Sequence, residues 1–194
     1  GNGYTVLHRA VDSYSNDEKV VELLIEANVD VNSRTAKGET ALHLSANRDD
    51  VASISKLIRA GALIDSADHE GETPLLRAIR LAHLSSVLLL IDLSADVDLP
   101  NAEGVSPLHF ASQEGAEAMV KALIHAGANV NALIDDGETP LLRAAYEGSE
   151  EVVKLLVDAG ADLSATLEDG GCALTIASQE GHVGVVNVLL STGY

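Results

Sequence analysis

The chain contains no tryptophan, one phenylalanine, one methionine and one cysteine in 194 residues. Aromatic residues make up 3% of it while 46% is apolar, so its core is built from Leu, Val, Ile and Ala. Such a core suits small, closely stacked helices better than a sandwich or a cofactor-binding sheet. The single Cys172 cannot form an internal disulfide, which points to a reduced compartment, cytoplasmic or nuclear. The longest unbroken apolar run, VLLLI at 87–91, falls far short of the roughly 20 residues that span a bilayer. No basic-then-apolar start resembles a signal peptide. Cations are scarce too: 12 Lys and Arg stand against 30 Asp and Glu, a net charge of −18. That excludes nucleic acid as the expected partner, because counterion release needs clusters of Lys and Arg. Anionic membranes are disfavoured for the same reason, and a basic partner is favoured. The same acidity also keeps an extended protein soluble.

What is present is repetition. GETPLLRA occurs at 71–78 and again at 137–144, with GVSPLHFA at 104–111 halfway between. The period of 33 extends to six repeats, opening at Gly3, Gly38, Gly71, Gly104, Gly137 and Gly170, the first step being 35. The two extra residues fall in YSND at 14–17, predicting a longer internal loop there. No linker or composition shift intervenes. The expectation is one array over 1–194, in repeats of about 1–34, 35–67, 68–100, 101–133, 134–166 and 167–194.

Each letter has a physical job. The opening glycine follows a polar pair such as His69-Glu70 or Asp135-Asp136 and reads as a turn with φ > 0. Thr73, Ser106 and Thr139 are N-caps, followed by Pro74, Pro107 and Pro140 at the first helical position. Leu75, Leu108 and Leu141 begin an apolar face, and Ala78, Ala111 and Ala144 let a neighbouring helix approach. Gly115, Gly148 and Gly181 stop this short helix. A second helix with apolar residues at helical spacing follows, ending at Gly61, Gly127, Gly160 and Gly193. Asn28 and Ser94 fill that closing position in the first and third repeats, and Ser94 is a poor substitute.

GETPLLRA, GVSPLHFA and GETALHLS resemble the ankyrin-repeat signature, and AGANVNA and AGADLSA resemble its closing half. The resemblance covers essentially the whole chain. It implies an all-α solenoid of stacked helix-turn-helix repeats, with hairpin-like loops projecting as fingers. One repeat cannot bury its apolar face alone; its neighbours do so. The departures mark a natural sequence rather than a consensus design. Asp49 and Ala82 replace the glycine that ends the first helix, and CALTIA at 172–177 has lost the hydroxyl-proline pair and the histidine.

No enzyme is expected, and no cofactor or metal. The chain has no GxxxxGK, GxGxxG, HExxH or GxSxG motif. His8, His43 and His109 share one repeat position, which in the family ties neighbouring turns through hydrogen bonds, and they stand too far apart to share a metal. His69, His83, His125 and His182 sit at unrelated positions without ligand spacing. Cys172 takes the N-cap slot with no basic neighbour to activate it. Asn32 and Asn131 end VDVN and ANVN; some family asparagines of this kind are hydroxylated, but a hairpin hydrogen-bonding role accounts for both.

The variable positions then carry the function, since binding residues gather on loops held by a rigid scaffold. The resemblance implies a partner along the concave side, touching the finger tips and the exposed end of each first helix. Among the fingers these are Glu70, Glu72, Glu103, Asp135, Asp136 and Glu138, with Glu39, Glu168 and Asp169 alongside and Lys37 as the one basic residue. The first-helix ends add Arg80, Leu81, Gln113, Glu114, Tyr146 and Glu147. The expected function is a non-catalytic scaffold that binds a protein with a basic segment. The alternative is a structural or autoregulatory segment of a larger protein, packing on its own neighbouring domains. The chain opens on a turn glycine and closes on the nearly uncharged GHVGVVNVLLSTGY. An excised part of a longer chain that continues beyond Tyr194 is therefore expected.

Overall fold

The computed structural model describes residues 2–13 and 18–192, and every regular element among them is an α-helix. The loop expected at 14–17 and the cap expected at Gly193 lie outside the described residues. Contacts divide the chain into two compact halves, 1–102 and 103–194, each holding three helix pairs. The division falls in the opening turn of the fourth repeat, where the sequence shows neither linker nor change of period.

In the first half the pairs are α1 (Val6–Val11) with α2 (Glu18–Glu26), α3 (Ala41–Ala46) with α4 (Val51–Arg59), and α5 (Pro74–Arg80) with α6 (Leu84–Asp92). First helices stack on first helices, α1 on α3 on α5, and second on second, α2 on α4 on α6. The second half repeats this arrangement. Its pairs are α7 (Pro107–Gln113) with α8 (Glu117–His125), α9 (Pro140–Glu147) with α10 (Glu150–Asp158), and α11 (Ala173–Glu180) with α12 (Val183–Ser191). Each half is thus a stack of helix-turn-helix repeats with a hairpin-like finger between successive pairs.

The helices begin where hydroxyl and proline place them. The Thr73 and Thr139 hydroxyls each accept the N–H of the third helical residue, Leu76 and Leu142, at 3.2 Å. Such a cap contributes about 1 kcal/mol. Leu42, Ile54, Leu57 and Leu75 are fully buried in the first half, and Leu108, Leu141, Val153 and Leu156 in the second. Each removes roughly 2 kcal/mol worth of apolar surface from water.

Histidine holds one repeat to the next. The His43 Nδ1 accepts the Thr40 N–H at 3.1 Å, which fixes the tautomer so that Nε2–H donates to the Glu72 carbonyl at 2.9 Å. His8 reaches the Glu39 carbonyl and His109 the Glu138 carbonyl in the same way, both at 3.2 Å. Burial disfavours the charged ring, so His43 and His109 titrate below the usual histidine value despite these bonds. In the sixth repeat Thr175 stands in the histidine slot, and its hydroxyl accepts the Cys172 N–H at 2.8 Å.

A second set of ties was not expected. His83 and His182 both precede a second helix, 99 residues or three periods apart. They are therefore not at unrelated positions. Their Nε2 atoms lie 3.2 Å from the Asn47 carbonyl and 2.8 Å from the Tyr146 carbonyl, each 36 residues earlier. Asn32 serves the finger bases: its amide donates to the Gly61 carbonyl at 3.0 Å and its oxygen accepts the Leu63 N–H at 2.9 Å. Asn131 does the same with Gly160 and Asp162.

The fingers turn through left-handed glycines. Gly38 has φ 82°, and a β-carbon there would come within 2.9 Å of the His69 backbone nitrogen. Non-glycine residues with positive φ, among the described residues, all lie in the first half: Asn28, Asp49, Ala82 and Ser94. Asp49 has its own reason for the position. Its carboxylate accepts both the N–H and the hydroxyl of Ser86, at 2.8 and 2.7 Å, in the first turn of α6. Burial works against its charge, yet these bonds hold its pKa below the ordinary aspartate value.

Candidate partner-binding surface

The finger tips and first-helix ends form the surface where the sequence places a partner. In the first half this surface is dominated by Arg77 on α5. Its guanidinium meets Glu39 at 3.1 Å and Glu72 at 2.7 Å, and also pairs with Asp68. Arg80, one turn later, pairs with Glu72 at 2.7 Å. The acids come from two successive fingers, which are themselves joined by the His69 N–H donating to the Lys37 carbonyl at 3.0 Å. Arg77 therefore fastens the second finger, the third finger and α5 together.

The three carboxylates are buried, and Glu72 is only 1% exposed. Burial pushes the Glu72 carboxyl above the usual glutamate range, outweighing Arg80 and Arg77. At Asp68 burial also opposes the charge, but Arg77 and the Glu70 and Glu72 backbone N–H groups keep it ionised below the usual range. Surrounded by acids, Arg77 holds its proton more tightly than a free arginine, despite its own desolvation. Carboxylate oxygens of Asp68, Glu70 and Glu72 come within 4.8 Å of one another, a spacing a divalent cation can use. The two guanidiniums already occupy the charge of Asp68 and Glu72, so the chemistry here is that of an ion-pair cluster. A cavity of about 400 Å3 opens over it, lined by Lys37, His69, Glu70 and Arg80 among others.

The surface of the second half is built differently. Of the three cations in residues 103–194, Lys121 and Lys154 lie on the second helices α8 and α10, which leaves Arg143 alone on the fingers and first helices. Arg143 pairs with Glu138 at 2.6 Å and donates to the Gln113 side-chain oxygen at 3.1 Å. Asp135, Asp136, Glu147, Glu168 and Asp169 are exposed. Tyr146, on the last turn of α9 and next to Glu147 in the chain, exposes 56% of its surface.

The sequence is matched by the family profile described as ankyrin repeats in three copies, over residues 7–101, 50–134, 89–167 and 108–194. The chain belongs to the ankyrin-repeat family. No curated protein matches it. Ankyrin repeats are generally protein–protein interaction modules and are typically non-catalytic. Among the described residues, no helix is long and apolar enough to cross a membrane.

The site residues expected from the sequence fall into three groups. Glu70, Glu103, Gln113, Glu114, Asp135, Asp136, Tyr146 and Glu147 are exposed, as are Arg80 and Leu81 at the end of α5. Glu138 is half-buried and shared with Arg143. Glu72 corrects the expectation. It follows the turn glycine and points back into the ankyrin stack, where it neutralises two arginines and offers no charge to solvent. Glu39 is buried by the same cluster. The sequence reading passed over Arg77 and Asp68. Part of the signal was available, since Asp68, Glu70 and Glu72 all stand within nine residues of Arg77, while Glu39 of the preceding finger gave none.

Proposed function

We propose that this ankyrin-repeat chain is a non-catalytic scaffold that binds a protein carrying a basic segment, across its fingers and first-helix ends. The observation that carries this reading is the exposed acidic row of the second half, Asp135, Asp136, Glu147, Glu168 and Asp169, with one arginine among them. Tyr146, exposed at the end of α9, supplies an aromatic anchor, and Tyr and Arg are frequent hot-spot residues. The acids accelerate encounter with a cationic segment, and Tyr146 governs how long the complex lasts. A reduced compartment, cytoplasm or nucleus, suits the single thiol.

The test is association kinetics of a partner captured by the immobilised chain. Asp135→Lys with Asp136→Lys should slow association at low salt and flatten its ionic-strength dependence. A partner that binds this variant equally fast at low salt overturns the proposal. A chain that packs only on its own neighbouring domains recovers no partner at all, which is the alternative reading.

A further inference from the structure

Two rows of acids run through the second half at the spacing of the repeat. Glu103, Asp136 and Asp169 stand 33 residues apart, each just ahead of a finger's turn glycine, and all three are exposed. Glu114, Glu147 and Glu180 stand 33 apart at the ends of α7, α9 and α11, and they are exposed too. Asp136 and Glu147 lie in the fifth repeat, which has a neighbour on either side, so their exposure does not depend on where the chain stops. The position before each helix-end acid is held by Gln113, Tyr146 and Gln179, a third exposed row, of hydrogen-bonding side chains. The first half has no such rows. The corresponding positions of its second and third repeats hold Lys37 and Glu70, Arg48 and Leu81, and Asn47 and Arg80.

The rows set a pitch. The helices α7, α9 and α11 stack in order, and packed helices stand about 8–10 Å apart. The fingers step with them, since a β-carbon on Gly137 in one finger would come within 3.2 Å of the Thr166 carbonyl oxygen in the next. A segment that places one cation in each repeat needs like-facing side chains at that interval. A β-strand does not supply them, because its like-facing residues recur at about 7 or 13 Å. An α-helix supplies them only at every seventh residue, about 10.5 Å on. Its backbone is already hydrogen-bonded and has no use for Gln113 and Gln179. A polyproline II segment has three residues per turn, so every third side chain faces the same way about 9 Å on. Its backbone makes no internal hydrogen bonds and is open to the glutamine amides, while its prolines suit an exposed aromatic ring.

We propose that the second half binds a polyproline II segment carrying a cation at every third residue, one cation for each repeat, with Tyr146 packed against a proline. This rests on the reading that the partner is basic, and adds its conformation and its register.

Fluorescence anisotropy of two labelled heptapeptides with blocked ends, titrated with the full chain at low salt, tests this. Arg-Pro-Pro-Arg-Pro-Pro-Arg has the proposed register. Pro-Arg-Pro-Arg-Pro-Arg-Pro has the same composition and charge, but its arginines point successively around the helix. The first should bind about tenfold more tightly, because its three contacts form together. Asp136→Asn with Glu147→Gln, both at exposed positions, should remove most of that preference and leave the melting temperature unchanged. Equal affinities overturn the proposal and leave the basic partner standing, since the two peptides are equally cationic. Tighter binding of a helical peptide with arginine at every seventh residue also overturns it. If neither heptapeptide binds while the Asp135/Asp136 variant still slows a captured partner, the register alone falls. If that variant is without effect as well, both readings fall.

Discussion

Arg77 and Arg143 hold the same place in two identical octapeptides, one in each half of the chain, yet Arg77 meets three carboxylates and Arg143 meets one. The difference comes from letters outside the octapeptide. Asp68, ahead of the turn, has Ile134 as its counterpart, and Glu39 of the preceding finger has Val105. The first half carries nine cations and sixteen acids, net −7; the second carries three and fourteen, net −11. In the first half the finger acids Glu39, Asp68 and Glu72 are consumed as internal fastenings. In the second the finger acids Asp135, Asp136, Glu168 and Asp169 remain on the surface. A repeated motif therefore fixes the scaffold, while its neighbours decide whether the same arginine is locked among buried acids or leaves acids exposed.

The comparison breaks most readily at Arg77. Arg77→Ala leaves Glu39, Asp68 and Glu72 buried without their shared counter-charge and should destabilise the chain by about 3–5 kcal/mol. Arg143→Ala, losing one half-buried pair, should cost about 1 kcal/mol or less. Urea unfolding of both variants measures the gap; equal losses would mean that the Arg77 cluster does not form in solution.

Tyr146 and Arg80 occupy equivalent places 66 residues apart. Tyr146→Ala should raise the dissociation rate of a captured partner, at a cost of about 2 kcal/mol of affinity, and leave the melting temperature unchanged. An unchanged dissociation rate removes Tyr146 from the interface.

The halves differ in backbone strain as well. Ser94 has φ 68° where the second half uses glycine, so Ser94→Gly should stabilise by about 1 kcal/mol. Asp49→Gly should give no such gain, because the relief of its φ of 54° is offset by the loss of its two bonds to Ser86. A comparable gain from both would show that the Ser86 cap contributes nothing.

The smallest expected effect is one the halves share. His43 in the first and His109 in the second both titrate below the ordinary value of 6.5. The unfolded chain then takes up protons near pH 6.5 while the native rings stay neutral, so stability is full above that pH and declines as pH falls below it. His43→Gln and His109→Gln should each flatten part of this slope. A stability profile that stays level from pH 7 to 5 in the wild-type chain contradicts the neutral-histidine ties.

Much of the scaffold was legible in the sequence because it depends on residues close together in one repeat: the Thr–Pro starts, the left-handed glycines, the histidine slot. The Arg77 cluster was not, because Glu39 and Arg77 are 38 residues apart and become neighbours only when two fingers stack. Glu72 looked like a solvated finger acid for that reason. His83 and His182 escaped notice because Ala116 and Ser149 fill the two intervening copies of their position, so the period is hidden. The acidic row of the second half was legible, since Arg143 is the one cation that the sequence sets among its finger and first-helix acids.

The central claim, that a basic partner is drawn to the unneutralised fingers of the second half, is tested most directly by introducing lysines at equivalent positions of the two halves. Association rates of the captured partner should be compared for Asp135→Lys/Asp136→Lys and for His69→Lys/Glu70→Lys, at low and high salt. The account predicts a large loss of rate for the Asp135/Asp136 pair that shrinks as salt rises, and a small loss for the His69/Glu70 pair. Equal losses, or a larger one at His69/Glu70, would contradict it.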